Sequence, residues 1–494
     1  MPFRKTLSTV SGVALAATLS ACAALPGGGG NVPSASTPIT PEEAQMGAQA
    51  NPELLQQFGG RMTGPTATYV EGVGKNIAVH SGLGNAREDF TVALLNSSVN
   101  NAFAIPGGYI YTTRQLVGLM NNEAELAGVL GHEVGHVAAR HSQRRQAKAQ
   151  QNALLGAVGS ILSQVLLGSD GLGGLLSQGS QQIAQLVTLK YSREQETQAD
   201  QLGITYLSRA GYDPTAMSTV LYSLALQNNL DAALKGQNAT VPEWASTHPD
   251  PASRVQAARA QAQGLPGTIT NRDTFLSRID GLLYGDDPAQ GVIEGDTFIQ
   301  PELRLSFRAP NGFYMVNSTQ AVSINGQSGQ AQLTFAPYSG SLDNYIRSAF
   351  AKLGGQQTNL APSSIQRTTV NGIPAAYGVA RANTQSGQVD VIVFAYEFAN
   401  DRAYHFQAIT PAGRSGVFTP MFESMRRISA QEAANVVPRR IDVVTVGSGD
   451  SVASLARRMA YSNAQEQRFR VLNGLGQSDS LRAGQKVKIV VRAN

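Results

Sequence analysis

Apolar residues recur at helical spacing through the first half of the chain and alternate through much of the second. From Pro41 to Gln263 the three-and-four spacing predicts a mainly helical block. Its clearest segment is residues 123–145, where Leu126, Val129, Leu130, Val134 and Val137 share a face and Asn122 with Glu125 fits a capping box. A second helix is expected over residues 181–210, closed by Gly211 and by Asp213 with Pro214. Between them lies an apolar helix-like run, residues 153–167, too short to span a bilayer and read as a core helix. The Gly/Ser-rich residues 168–180 that follow are a candidate gate. Leu265, Pro266 and Gly267 close the block, and a helical connector (residues 273–284) leads to a turn at residues 285–288. Strands are then expected over residues 303–307, 332–335, 389–398 and 403–409, with helices over 342–353 and 416–427, which makes a small α+β domain. His405 falls inside one of these strands and is expected to be a packed residue. The tail reads as strand 443–446, turn 447–451, helix 452–459, a second helix ending over 470–475, and a second strand over 481–489.

Length and composition narrow the picture. A chain of 494 residues suggests two to four domains, and 42 % apolar residues suffice for packed cores. Lys and Arg exceed Asp and Glu by only 38 − 34 = 4, which is no polybasic footprint, so nucleic acid is not expected as a partner. The single cysteine excludes a disulfide framework and any multi-thiolate metal site, leaving His and carboxylate as metal donors.

That cysteine has its own context. Arg4 and Lys5 precede an apolar run over residues 10–19, and then come Leu19, Ser20, Ala21 and Cys22. The charged start, short apolar stretch and small residues describe a secretory signal. The four residues resemble the lipobox of bacterial lipoproteins. The resemblance implies a signal peptide over 1–21, lipidation of Cys22 as the first mature residue, and, with Ala23 next, placement at the outer membrane. Residues 22–40, rich in Gly, Pro and Ser, read as a flexible tether.

The chemistry centres on His132, Glu133, Val134, Gly135 and His136. Helical positions four apart lie about 40° from one another, so both imidazoles leave one face and can reach one Zn²⁺ at ~2.0–2.1 Å. Glu133 sits beside them, within reach of a water but outside the ligand pair, and Gly135 is read as leaving room near the site. His141, roughly 140° around the same helix, is expected behind a ligand or at the surface. His80 is expected to be structural.

Downstream come Glu196, Ala199 and Asp200. An HExxH pattern followed by Glu-x-x-Ala-Asp resembles the M48 family of zinc metallopeptidases, in the periplasmic BepA/LoiP-like lipoprotein type. The resemblance implies one Zn²⁺ per chain, held by His132, His136 and Glu196, with Glu133 as the general base. Asp200 would orient a ligand histidine. Asn101, Ala102, Phe103 and Ala104 would form the edge of a hairpin that pairs with an extended substrate. Ser246, Thr247, His248 and Pro249, with Arg254, match a further family element. His248 would then touch the tetrahedral intermediate or take a fourth zinc position at rest, and Arg254 would stabilise the oxyanion or hold the loop.

The tail resembles a LysM module of βααβ fold, which implies peptidoglycan as a partner. The expected fold is multidomain: a mainly α zincin-type metallopeptidase domain with a small β-hairpin edge, an α+β domain and a βααβ LysM-like domain. The expected boundaries are 41–265 for the peptidase, 266–295 for a connector, 296–435 for the accessory domain and 441–494 for the tail. The expected activity is hydrolysis of misfolded or stalled envelope proteins from a lipid anchor facing the periplasm. Two rivals are an envelope scaffold or chaperone with a mainly structural zinc, and a peptidoglycan-linked hydrolase.

Overall fold

The computed structural model describes residues 38–142, 191–235, 248–318, 321–354, 360–384 and 387–493. The expected signal, Cys22, most of the tether, the apolar run at 153–167, the candidate gate at 168–180, and Ser246 with Thr247 lie outside the described residues. Element labels below run over described elements in chain order.

Helix α1 (Pro41–Gln57) begins where the Thr40 hydroxyl oxygen accepts from the Glu43 N–H and the Glu43 carboxylate accepts from the Thr40 N–H. Helix α2 (Pro65–Ala78) follows. The expected hairpin is present as β2 (Ala102–Ile105) and β3 (Tyr109–Thr113), but it belongs to a three-stranded sheet. Strand β1 (Thr91–Leu95) runs parallel to β3, giving the order β1-β3-β2 and leaving β2 at an edge. This strand was not expected, because it is covered on both faces. A strand buried on both sides reads as a plain apolar run rather than an alternation. The hairpin turn needs glycine: Gly108 has φ +80°, and a methyl group there would lie 2.5 Å from the Asp89 carbonyl oxygen.

Helices α3 (Arg114–Leu119), α4 (Glu123–Ala138), α5 (Arg193–Arg209), α6 (Ala216–Lys235) and α7 (Pro251–Ala262) complete the block. The middle of α4 is buried on every side, packed against α2, α5, α6 and β2. Three expectations shift here. The helix stops at Ala138 rather than reaching 145, and Arg140 takes the left-handed conformation (φ +51°) just beyond it. Only half the capping box forms. The Asn122 side chain accepts from the Glu125 N–H at 2.9 Å, while the Glu125 carboxylate turns to the Asn121 N–H (2.7 Å) and the Thr219 hydroxyl (2.8 Å). Within the described residues α5 begins at Arg193, capped by Ser192.

The connector is less separate than its sequence suggests. Helix α8 (Arg272–Ile279) sends Phe275, Leu276 and Ile279 into the core of the helical block. Strand β4 (Val292–Glu294) already pairs with β5 (Thr297–Gln300), so the accessory strands begin inside the expected connector. Strands β6 (Leu305–Arg308), β7 (Tyr314–Asn317), β8 (Val322–Gly326) and β9 (Gly329–Phe335) follow. Next come α9 (Leu342–Gly354), β10 (Ile365–Val370), β11 (Ile373–Thr384), β12 (Gly387–Ala399) and β13 (Arg402–Pro411). Seven of these strands form an antiparallel sheet, β10-β11-β12-β13-β9-β8-β7, with α9 packed on β11 and β12. The helix expected over 416–427 is broken: a single turn (Ser415–Phe418) leads into α10 (Thr419–Ser424), and Arg426–Arg427 then joins β6 as β14. His405 is a packed residue, its Nδ1 hydrogen-bonded to the Tyr345 hydroxyl at 2.9 Å, and burial pushes its pKa down to about 4.

The tail is strand, two helices and strand: β15 (Arg439–Thr445), α11 (Val452–Ala456, shorter than expected), α12 (Gln465–Leu472) and β16 (Lys486–Arg492), with the strands antiparallel. It shares one core with the helical block, in which Ile441, Leu455, Val487 and Ile489 join Val70, Leu130 and Tyr206. Lys488, fully buried, crosses this boundary. Its Nζ donates to the carbonyls of Gly118 (2.8 Å), Leu119 (3.1 Å) and Met120 (2.5 Å) at the C-terminus of α3. A cation suits the negative end of a helix, although burial holds the ammonium well below its ordinary pKa against the pull of Glu125. No helix among the described residues is long and apolar enough to cross a membrane.

Replacing Lys488 by Met would strand those carbonyls. We expect a loss of about 1–3 kcal/mol in unfolding free energy and a single, lowered melting transition for the tail and the helical block together. Thermal and denaturant unfolding of the full chain measures both.

Candidate metal centre

The site exists because two helices approach unusually closely. A methyl group on Gly135 would lie 3.1 Å from the Ala199 carbonyl oxygen and 3.2 Å from the Leu202 Cβ. One on Gly203 would lie 3.0 Å from the His132 backbone nitrogen and 2.6 Å from the Met217 Cε. These glycines let α4 and α5 cross almost backbone to backbone. The space that Gly135 leaves is therefore taken by α5, rather than lying open beside the site as the sequence suggested.

The crossing brings Glu196 of α5 to the two histidines of α4. The Nε2 atoms of His132 and His136 are 3.0 Å apart. Glu196 Oε2 is 3.6 Å from the first and Oε1 is 3.3 Å from the second. His248, in the chain leading into α7, completes a buried group of four whose donor atoms all lie within 4.8 Å of one another. Its Nδ1 faces Glu196 Oε1 (3.0 Å) and His132 Nε2 (3.3 Å), and its Nε2 faces Glu133 Oε1 (3.5 Å). Of the sequence candidates, His132, Glu133, His136, Glu196, Asp200, His248 and Arg254 are thus brought together.

Asp200 and Arg254 form the backing of this group. Asp200 Oδ1 is 2.9 Å from His132 Nδ1. The Arg254 guanidinium donates through Nε to Asp200 Oδ2 (2.8 Å), through Nη2 to Asp200 Oδ1 (2.6 Å), and through Nη1 to Glu196 Oε2. All three guanidinium nitrogens are engaged by carboxylates. Burial pushes the Glu196 carboxyl up, but His248 and Arg254 outweigh it and hold it well below the usual carboxylate range. Asp200 is likewise raised by burial and lowered further by Arg254 and His132. Burial keeps His136 well below, and His248 below, the ordinary imidazole pKa. Neutral His136 and His248 and ionised Glu196 and Asp200 are therefore packed together.

That donor chemistry fits a divalent cation. Three buried carboxyl groups (Glu133, Glu196, Asp200) act on one buried guanidinium. With the Nδ1–H of His132 donating to the Asp200 carboxylate, its Nε2 lone pair points at another ring nitrogen 3.0 Å away. Nitrogen and oxygen donors with no thiolate match the ligand types of zinc.

Other candidates sit differently. Asn101 precedes β2, with its N–H and carbonyl both turned inward to Thr113, and Ala102, Phe103 and Ala104 lie within the strand. β2 packs against α4, has β3 as its one strand neighbour among the described residues, and carries the Phe103 ring stacked on Tyr111. His80 lies half-buried in the turn after α2, outside the cluster. Sequence reasoning missed Tyr191, whose ring stacks on His136 at 3.6 Å between centroids. It also missed Gln198, which hydrogen-bonds to His141. The place of Gln198 on the Glu196 helix was legible, whereas its partner depends on where α4 ends.

Residues 65–262 match peptidase family M48. The chain carries an M48 peptidase domain. A second match, residues 444–490, is to the LysM domain. The chain is similar to the beta-barrel assembly-enhancing protease of Yersinia pestis, 33 % identical over 225 residues that make up 44 % of each chain. It is similar to the protein of that name from Escherichia coli K12, 32 % identical over 215 residues, 42 % of each. The mitochondrial metalloendopeptidase OMA1 of Schizosaccharomyces pombe is 33 % identical over 235 residues, 47 % of this chain and 64 % of that one. The chain thus spans under half the length of the bacterial relatives. The M48 match holds all seven clustered side chains.

The helix crossing gives a direct test. Gly203→Val should force α4 and α5 apart, lowering unfolding free energy by about 1–3 kcal/mol. Zinc content per chain, read by atomic absorption, should fall with it.

Proposed function

We propose that the chain is a zinc-dependent endopeptidase acting on misfolded or stalled envelope proteins from a lipid anchor at Cys22, on the periplasmic side of the outer membrane. The observation that carries this reading is the convergence of His132, His136 and Glu196 beside a buried Glu133. A purely structural ion site needs no extra carboxylate next to its ligands. A hydrolytic one does.

In this reading His132, His136 and Glu196 hold one Zn²⁺, with His248 as a fourth donor at rest. When bound, the ion supplies the Lewis acidity that makes water a nucleophile near pH 7 and polarises a peptide carbonyl. Glu133 accepts the water proton on a carboxylate oxygen and returns it to the departing amine nitrogen. Asp200 holds the His132 ring by its Nδ1 proton. Arg254, donating once from each of its three nitrogens to a carboxylate, holds Glu196 and Asp200 in their ionised forms.

Substrate selection follows from main-chain recognition. The edge at Asn101–Ala104 would pair with an extended peptide through the backbone of Ala102–Ala104, since the Asn101 groups are taken by Thr113. This mode has little sequence preference and suits unfolded or misassembled chains. The names of the relatives, an assembly-enhancing protease for β-barrels and a metalloendopeptidase, support the same direction. The LysM domain supports peptidoglycan as the second partner.

Glu133→Gln should retain zinc and lower cleavage of casein by about 10²–10⁴-fold. Zinc analysis and casein hydrolysis on the same preparation test this, and wild-type cleavage by the variant would remove Glu133 from the mechanism.

A further inference from the structure

Behind His136 a line of side chains leads away from the ion site. His136 Nδ1 is 2.8 Å from Nδ1 of His141, and His141 Nε2 is 2.9 Å from Oε1 of Gln198. His141 is fully buried. It reaches this place because α4 ends early. In a continued helix it would point roughly 140° away from His136. Instead, left-handed Arg140 turns the chain back, held by its Nε contact to Glu43 (3.1 Å) and its Nη2 donation to the Pro38 carbonyl (3.2 Å). Gln198 comes from α5, two residues past Glu196, so both helices contribute to the line.

Proton counting gives the line a direction. Gln198 presents a carbonyl oxygen, so His141 Nε2 carries the proton of that hydrogen bond. A neutral His141 then has a bare Nδ1 and accepts from the Nδ1–H of His136. The His136 Nε2 is left with its lone pair, aimed at the gap it shares with His132 Nε2 and Glu196 Oε1. Asp200 imposes the same tautomer on His132. The two rings are thus fixed by different means, one by a carboxylate and the other by a neutral relay. Tyr191, stacked within 17° of parallel on the His136 ring, restrains the remaining tilt.

We propose that His141 and Gln198 are positioning residues that lock the His136 ring with its proton on Nδ1 and its lone pair on Nε2 for the ion. This rests on the reading of His136 as a zinc ligand. Loss of a partner behind a ligand histidine typically weakens metal binding by about 10–100-fold. Any side chain that keeps an oxygen acceptor at position 198 should preserve the tautomer.

The test uses the full chain, stripped of metal and titrated with Zn²⁺ against a chromogenic chelator, then with Co²⁺ to record its visible bands. His141→Phe and Gln198→Leu should each weaken zinc binding about 10–100-fold, shift the cobalt bands and lower kcat with little change in KM. Gln198→Glu, which retains the acceptor, should stay within about threefold of wild type and keep the cobalt spectrum. Thermal melting of the metal-free proteins controls for folding. If His141→Phe does not fold, the half-buried position 198 decides the matter through its Leu and Glu variants. Wild-type zinc affinity in Gln198→Leu, or equal losses in Gln198→Leu and Gln198→Glu, would overturn the proposal alone. A wild-type chain that takes up no zinc would overturn the metal reading and this inference together.

Discussion

Carboxylates buried away from water are expensive unless something nearby carries the opposite charge, and the interior of this fold is arranged around that requirement. Glu196 and Asp200 lie one turn apart on the same helix, both inside the protein. Arg254 is clamped to both, and His132 hydrogen-bonds to Asp200. These contacts keep both groups ionised. Such a pair would be a liability in a plain helical core. It becomes useful where a dication is to be gripped by neutral imidazoles and one negative oxygen. The glycines at the α4–α5 crossing are part of the same arrangement, because without close backbone approach the Glu196 carboxylate would fall short of the histidine pair.

What the sequence could convey depended on whether the signal was local. Two histidines four apart announce their shared face through helical geometry alone, and Glu196 with Asp200 follows the same rule. The strands β6, β9, β12 and β13 were legible in outline from alternation, and the hairpin at Asn101–Ala104 through the family resemblance. Less was available where tertiary context decides. Strand β1 is covered on both sides and shows no alternation. The end of α4 at Ala138 follows from a left-handed Arg140 tied to Glu43, a contact nearly a hundred residues distant in sequence. That end also decides which of its two expected places His141 takes, behind a ligand rather than at the surface, a choice that a helical projection cannot make. Gly135 was read as making room for the site when it makes room for a helix.

The tail teaches a related lesson. Lys488 sits in an alternating strand, where a lysine ordinarily faces solvent, yet its ammonium caps a helix of the helical block. Two segments more than 360 residues apart share one core and one buried cation. Family matches divide the chain into an M48 domain and a LysM domain, but packing does not respect the division. The LysM tail is thus held at a fixed attitude to the helical block that carries the histidine–carboxylate cluster. The accessory domain, by contrast, keeps two cores of its own, one on either side of its seven-stranded sheet.

The chemistry of this site depends on which atoms surround the ion. X-ray absorption at the zinc edge of the purified chain reads them directly. It should show one zinc per chain, with only nitrogen and oxygen neighbours at about 2.0–2.1 Å and imidazole scattering beyond them. A sulfur neighbour near 2.3 Å, or a zinc environment unchanged by Glu196→Ala, would contradict it.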